Sequence, residues 1–315
     1  MTIREIDEKL TALEKSLEEA KESSDSVLMR ELGAEYEKVK KEAVSLTPHD
    51  KVFLARHMKR PKIDDYISAI FDDFFVQRGD YLGKEDKSIL GGIAMFHGQP
   101  VTVIGHRKGK NLAENMEYNF GMPEPEGYRK ALRLMKQAEK FGRPVITFID
   151  TPGAYPGIDA EEHGQSIAIS KNLAEMSDLK VPVIAIVTGE GSSGGALAIG
   201  VANTVLMLEN AVYSVLSPEG FASILWKDSS RAAEACELMK LTADDLFGFG
   251  VIDGIIKEPL GGIHHNPAPV YKEIEERLTH ELKKYSKLSP DEIANDRYEK
   301  FRDIDLLARE RERLS

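Results

Sequence analysis

The sequence predicts an α/β protein built on a buried, largely parallel sheet. Three observations carry that expectation. The runs Val145–Ile149, Val183–Val187 and Val205–Leu208 are apolar on both faces, helical stretches separate them, and glycine-bearing turns follow the first two. Strands hydrophobic on both faces and alternating with helices are covered on both sides. In such sheets ligands gather outside the carboxyl ends of the strands.

In chain order, Ile3, Ile6, Leu10, Leu13, Leu17 and Ala20 recur at spacings of three and four, the a/d seam of a packed helix. After the polar break from Lys21 to Ser26, Leu28, Leu32, Tyr36 and Val39 repeat the pattern, so an antiparallel hairpin is the economical reading. It docks on the body of its own chain or of a partner; an inter-chain coiled coil is the alternative. Thr47-Pro48-His49-Asp50 offers a hydroxyl cap and a proline at the first helical position, and that helix runs into His57–Pro61. Ile89–Phe96 and Pro100–Gly105 read as strands joined by His97-Gly98-Gln99. A helix from about Glu126 to Lys140 leads into Val145–Ile149, and one from about Ala160 to Met176 into Val183–Val187. A short helix near Ala196–Val201 precedes strands at Val205–Leu208 and Val212–Val215. Helices dominate from Ser217 to Phe249, beginning with the Ser217-Pro218-Glu219 start signal. Val251–Ile256 closes as a strand, and Lys272–Ser315 reads as a charged helical tail. The organisation expected is a hairpin over 1–45, a catalytic body over 46–265 and a helical extension over 266–315.

The chain is 42% hydrophobic and 30% charged over 315 residues, a globular composition. Its formal charge of -11 argues against a nucleic-acid or anionic-membrane partner, since both need a positive field. No apolar run approaches the ~20 residues that span a bilayer, and Met1 to Lys9 lacks the apolar stretch of a secretory signal. A cytoplasmic protein is expected. Cys236 is the single cysteine, so neither an internal disulfide nor a thiolate zinc cluster can form. The eight histidines lack H-E-x-x-H spacing, and no metal is expected in this chain.

The chemistry concentrates in two turns, Asp150-Thr151-Pro152-Gly153-Ala154-Tyr155-Pro156-Gly157 and Gly189-Glu190-Gly191-Ser192-Ser193-Gly194-Gly195-Ala196. A helix follows each, so each can aim unpaired N–H groups at an anionic oxygen. Paired glycines let a reacting group approach without a Cβ in the way. The second turn admits several readings. It matches G-x-G-x-x-G with Glu209 twenty residues after Gly189, as a dinucleotide site would. It also contains G-x-S-x-G around Ser193, with Asp253 and His264 downstream in the order of a hydrolase. A third reading is an oxyanion hole with no side-chain nucleophile, and a fourth is a tight turn that needs small residues only for packing. Neither of the first two explains why Asp150–Gly157 looks equally prepared.

Gly105-His-Arg-Lys-Gly109, Asn119-Phe-Gly-Met-Pro123, Pro125 to Met135, Phe148 to Gly157, Gly189 to Gly200, Tyr213 to Gly220, Ala222 to Asp228 and Glu258-Pro-Leu-Gly-Gly262 keep an order and spacing that resemble one family. It is the alpha subunit of the bacterial acetyl-CoA carboxylase carboxyltransferase. Ser192 departs from the glycine expected there, and His163 from an arginine.

The resemblance implies a crotonase-like (ClpP/crotonase) fold of stacked ββα units. It also implies transfer of a carboxyl group from carboxybiotin, borne on a biotin carboxyl carrier protein, to acetyl-CoA, giving malonyl-CoA for fatty acid biosynthesis. The backbone of Gly194, Gly195 and Ala196 would form the catalytic oxyanion hole for biotin. Gly153, Ala154, Tyr155 and Ser193 would line the carboxybiotin pocket, with ring packing across the turn the competing reading for Tyr155. A beta subunit would supply the second oxyanion hole, most of the CoA site and a zinc ribbon, in an α2β2 assembly served by a separate biotin carboxylase. Arg56, Lys59, Arg60, Arg107, Lys108 and Lys110 could meet CoA phosphates or the acidic carrier, with solvated surface charge the reading for most. Trp226 reads as core or interface. The alternative function is a Clp- or esterase-type serine hydrolase using Ser193.

Overall fold

A computed structural model describes residues 1–314 and side chains through Ile304. Helices α1 (Ile3–Glu22) and α2 (Ser26–Lys40) form the expected hairpin. The start of α1 is fixed by a capping box, in which Thr2 N–H donates to Glu5 (2.8 Å) and Glu5 N–H to the Thr2 hydroxyl (3.3 Å). Its seam residues Ile3, Ile6 and Leu10 pack with Val39 and with Leu54 of α3 (Pro48–Ala55), so the hairpin docks on its own chain. Helix α3 opens with the hydroxyl cap and proline that its sequence announced, and the structure closes the cap into a Thr47–Asp50 capping box.

Helix α4 (Ile63–Ile70) and strand β1 (Asp72–Val76) follow, then β2 (Ile89–Phe96) and β3 (Gln99–His106). His97 and Gly98 both have positive φ (48° and 78°), as a two-residue hairpin turn matching the strand twist requires. The chain continues through α5 (Leu112–Glu117), α6 (Pro125–Lys140), β4 (Val145–Thr151), α7 (Ile158–Glu162), α8 (Gln165–Ser177), β5 (Val183–Ser192) and α9 (Ser193–Leu197). Then come β6 (Thr204–Leu208), β7 (Val212–Ser214), α10 (Pro218–Trp226), α11 (Ala232–Met239), α12 (Ala243–Gly248), β8 (Gly254–Ile256), α13 (Ala268–Tyr285) and α14 (Pro290–Leu314).

The strands form one sheet in the order β1-β2-β3-β4-β5-β6-β8, antiparallel from β1 to β3 and parallel beyond. Strand β5 is central and does two jobs. Its first half pairs with β4 and β6, and Glu190–Ser192 pairs with β7. Phe148, Ile149, Ile184, Ile186, Leu206 and Leu208 are buried within this core.

Three sequence expectations shift. The single helix expected over Ala160–Met176 breaks into α7 and α8 at Gly164, which takes the left-handed conformation (φ 84°). The short helix expected at Ala196 begins at Ser193, because β5 stays extended to Ser192. Only Gly254–Ile256 of the expected closing strand pairs. The tail is two helices, divided at Ser286–Ser289; Ser315 lies outside the described residues. Arg297 anchors α14, donating from a fully buried guanidinium to the carbonyls of Met176, Leu179 and Val181 (2.9, 2.8 and 2.9 Å). Among the described residues no helix is long and apolar enough to cross a membrane.

Candidate active site

The two glycine turns, separated in sequence, meet at the carboxyl ends of adjacent parallel strands. After β4, Gly153 takes φ 142°, a conformation that side chains rarely adopt. The Thr151 hydroxyl fixes it from both sides, accepting from Gly153 N–H (3.0 Å) and donating to the Gly153 carbonyl (2.8 Å). Tyr155 N–H donates to the Pro123 carbonyl (3.0 Å), and the Gln165 amide donates to the carbonyls of both Pro123 (2.9 Å) and Tyr155 (3.0 Å). The Tyr155 ring folds over Gly157, in the space a Cβ there would need, which favours packing across the turn.

Strand β5 turns into α9 at Ser193, whose φ of 56° lies in the left-handed region. The N–H groups of Ser193, Gly194 and Gly195 lead the helix, so no carbonyl one turn back within it can take them, while Ala196 is the first residue with a carbonyl one turn back, that of the N-cap Ser192. Among the described residues no side chain, and no backbone carbonyl of a loop or turn, accepts from Ser193, Gly194 or Gly195 N–H. A Cβ on Gly195 would lie 2.7 Å from the Ala154 nitrogen and 2.7 Å from the Gly153 carbonyl carbon. Gly195 is therefore a glycine because α9 presses backbone to backbone on the first turn. Gly194 is different, since a Cβ there would rest at an ordinary 3.4 Å from Ile169. Gly153, Ala154, Gly194, Gly195 and Ala196 thus come together, with Ser193 and Gly194 toward solvent and Gly195 and Ala196 buried.

Beneath the turns lies a chain of charges. Between Ile149 and Thr151 the β4–β5 register slips, and the Asp150 carboxylate fills the volume a Gly189 side chain would take. Gly189 and Gly191 belong to the extended strand, so the G-x-G-x-x-G spacing does not form a dinucleotide turn. Lys108 Nζ bridges Asp150 (2.7 Å) and Glu190 (2.9 Å), and Arg56 links Glu190 (2.6 Å) to Glu219 (2.7 Å). Arg60 is fully buried, with Nη1 3.0 Å from Glu258 and Nε donating to the Thr188 carbonyl (2.6 Å). These cations hold the Asp150, Glu190 and Glu258 carboxyls below their usual range, against desolvation that pushes the other way. The expectation of solvated surface charge fails for Arg60 and Lys108, whose side chains are 0% and 12% exposed. Arg107 and Lys110 pair with Asp64 and Asp65 near the surface, while Lys59 is exposed. Trp226 stacks under Arg231, with the guanidinium carbon 4.0 Å from the ring.

The hydrolase arrangement does not assemble. His264 donates to Asp7, Asp253 accepts from Val205 N–H, and Ser193 has no imidazole partner among the described residues. Ser192 sits extended (φ -118°) and tolerates its side chain. His163 lies 3.1 Å from Glu126. An apolar cavity of about 300 Å³ opens beside Ser193 and Gly194, walled by Leu197, Val205, Tyr213 and Val251. A larger one of about 540 Å³ lies by β1 and shares no residue with either turn.

Sequence reasoning missed the ion-pair floor and a histidine cluster on Asp7, whose members are far apart in the chain. Comparison with known proteins adds three findings. A family model described as acetyl co-enzyme A carboxylase carboxyltransferase-like matches residues 1–305. The acetyl-coenzyme A carboxylase carboxyl transferase subunit alpha of Listeria welshimeri is 54% identical over 296 residues, 91% of this chain and 92% of that one; its namesake from Clostridium acetobutylicum is 57% identical over 259, covering 82% and 94%. The crystal structure of transcarboxylase 12S, with methylmalonyl-coenzyme A bound, superposes with a TM-score of 0.58 at 20% identity, over 74% of this chain and 44% of that one. That likeness establishes the crotonase-like fold.

Proposed function

The chain belongs to the acetyl-CoA carboxylase carboxyltransferase family as an alpha subunit, and on that premise we propose that it supplies the biotin-facing half of the site where a carboxyl group passes from carboxybiotin to acetyl-CoA, giving malonyl-CoA. The observation that carries the assignment is the set of free N–H groups at the start of α9, braced by the Gly153–Ala154 turn. Their chemistry fits an anionic ureido oxygen, since preorganised backbone donors stabilise charge that develops in the transition state by about 2.7–4 kcal/mol per donor.

Carboxybiotin, a substrate carried on a separate protein, supplies the carboxyl group and, once decarboxylated, a base for the acetyl proton. The residues of this chain then have three duties. Gly194, Gly195 and Ala196 hold the ureido oxygen by N–H donation; Gly153 and Ala154 wall the ring; Ser193 lines the entrance as a polar contact and not as a nucleophile. Tyr155 shapes the wall from behind through its packing on Gly157. The cavity beside Gly194 gives the donors an apolar flank.

The chain belongs to a multi-subunit enzyme. We assign the thioester oxyanion hole, the zinc ribbon and most of the CoA site to a beta subunit in an α2β2 assembly, with the biotin carboxyl carrier protein and biotin carboxylase as further partners. The single cysteine supports a zinc site outside this chain. In the same reading 1–45 is a docking hairpin, 46–265 the carboxyltransferase domain and 266–315 a helical extension, in a cytoplasmic enzyme. The test is malonyl-CoA-dependent carboxylation of free biocytin by this chain alone and after co-expression with a beta subunit. Activity only in the mixture is expected; activity in neither, with the two proteins associated, would overturn the assignment.

A further inference from the structure

A cluster of imidazoles joins the N-terminal hairpin to the body. Asp7 of α1 accepts hydrogen bonds from three histidines: His57 Nε2 at 3.2 Å on one oxygen, and His264 Nε2 (2.7 Å) and His265 Nε2 (3.1 Å) on the other. His265 also donates through Nδ1 to Glu14 of α1 (2.8 Å), and the Tyr36 hydroxyl of α2 donates to the same Glu14 oxygen (2.9 Å). The rings stack, His57 on His264 at 4.0 Å and His264 against His265 at 4.1 Å. A Cβ on Gly261 would strike Leu10 of α1 at 2.6 Å, so the loop that presents the histidines lies directly against the hairpin.

Proton positions follow from the partners. Lys59 N–H points at His57 Nδ1 (3.3 Å), which leaves the His57 proton on Nε2, facing Asp7. His264 Nδ1 is buried with no partner, so its proton also sits on Nε2. His265 lies between two carboxylates and bonds through both nitrogens, the pattern of an imidazolium. The Asp7, His57 and His264 ligand atoms lie within 4.8 Å of one another, but protons on the histidine nitrogens occupy the directions an ion would need.

We propose that Asp7, His57, His264 and His265, with Glu14 and Tyr36 behind them, form a proton-sensitive latch that holds the N-terminal hairpin on the body near neutral pH and lets it go on either side. The two arms have opposite origins. His264 is driven down to about 4, mainly by burial, so the released hairpin state binds its proton first. Docking is then complete above the ordinary value of 6.5 and weakens as pH falls toward 4. His265 is raised by Asp7 and Glu14 against desolvation, so its contribution is complete below 6.5 and is lost as pH rises through the raised value. Asp7 is held far below its ordinary 3.8 by the three imidazoles against desolvation, and adds a loss only in stronger acid. The other charged groups near the latch are Glu37, which acts on Tyr36, and Arg4, which stacks on Phe53 beside His57.

Release has a route into the sheet. The turn that carries His57 also carries Arg56 and Arg60, which grip Glu190 and the Thr188 carbonyl of β5. The latch itself does not depend on the transfer chemistry, and the test below reads docking without it.

The experiment is hydrogen–deuterium exchange on the full chain from pH 4.5 to 8.5, corrected for intrinsic exchange, following amides of residues 1–45. Protection is expected to peak near pH 6.5 and to fall on each arm by up to about tenfold per pH unit, the limit for one linked proton. Glu14→Gln removes one of the two carboxylates on His265 and brings the alkaline loss to lower pH, leaving the acid arm in place. His264→Gln flattens the acid arm. Flat protection in the wild-type chain would overturn the proposal, as would simultaneous loss across the whole body. So would protection that follows zinc and chelator instead of pH.

Discussion

Replacing Gly195 by alanine adds one methyl group where α9 meets the Gly153–Ala154 turn. The added carbon would lie 2.7 Å from both the Ala154 nitrogen and the Gly153 carbonyl carbon, against 3.4 Å for ordinary contact. Both atoms are backbone, so no rotamer change relieves the clash, and helix or turn must retreat by roughly 0.7 Å. Overpacking of this kind costs about 1–3 kcal/mol of stability. The larger effect falls on rate, since misplacing catalytic groups by about 1 Å loses on the order of 100-fold. Gly194→Ala is the control, because its Cβ would meet Ile169 at an ordinary 3.4 Å. With a beta subunit present, biocytin carboxylation by Gly195→Ala should fall about 100-fold in kcat with KM for malonyl-CoA little changed, while Gly194→Ala keeps its melting temperature. Turnover of Gly195→Ala within tenfold of wild type, in a protein that melts normally, would refute the account of the two turns.

Ser193 is exposed and bonds no imidazole, so Ser193→Ala should transfer carboxyl within about twofold of wild type, and a fluorophosphonate probe should label neither protein. Ser193→Gly relieves the positive φ and should raise the unfolding free energy by about 1 kcal/mol in denaturant titration. Glu258→Ala strands the buried Arg60 guanidinium and should cost about 3–5 kcal/mol by the same titration. Lys108→Met shifts a pH dependence. In the wild-type chain the depressed Asp150 carboxyl contributes stability above about 3.8 that is lost as pH falls through its lowered value; the variant keeps only the Lys62 field and the Glu190 N–H on that carboxyl (3.0 Å), so the acid loss of thermal stability should begin at higher pH than in the wild type.

The parts of this fold that were legible in sequence are those fixed by local pattern. Strands β4, β5 and β6 are apolar on both faces, and α3 and α10 carry proline and hydroxyl start signals. Helix α4 had a usable signal in Ile63, Tyr66, Ile67 and Ile70, all buried at helical spacing. Strand β1 had none, since it is a sheet edge whose side chains are mostly exposed. The glycine turns were legible as loops, but their contact was not, because nothing local says that Gly195 rests on Ala154. The charge network failed for the same reason. Arg60 and Glu258 stand 198 residues apart, and a basic residue whose partner is that distant reads as solvated surface. The histidine cluster on Asp7 spans 258 residues, beyond any motif of spacing.

The charges beneath the turns bear on the proposal that the backbone, and not a side chain, is the reactive surface. Arg56, Arg60, Lys62 and Lys108 face Asp150, Glu190, Glu219 and Glu258, four cations against four anions, so the floor beneath the turns has no excess of either sign. A balanced floor of ion pairs, most of them buried, holds β5 in place without adding a field of its own. The Lys62 ammonium alone makes no hydrogen bond among the described residues, and burial lowers its pKa. The floor is thus poorly suited to attract a polyphosphate, which needs several free cations. It suits a site that stabilises one developing anion on oxygen, because the N–H dipoles at the start of α9 are then the dominant local field. On the proposed assignment, the cations for the coenzyme phosphates would then come from a second surface, brought to the mouth of a pocket whose donors this chain supplies.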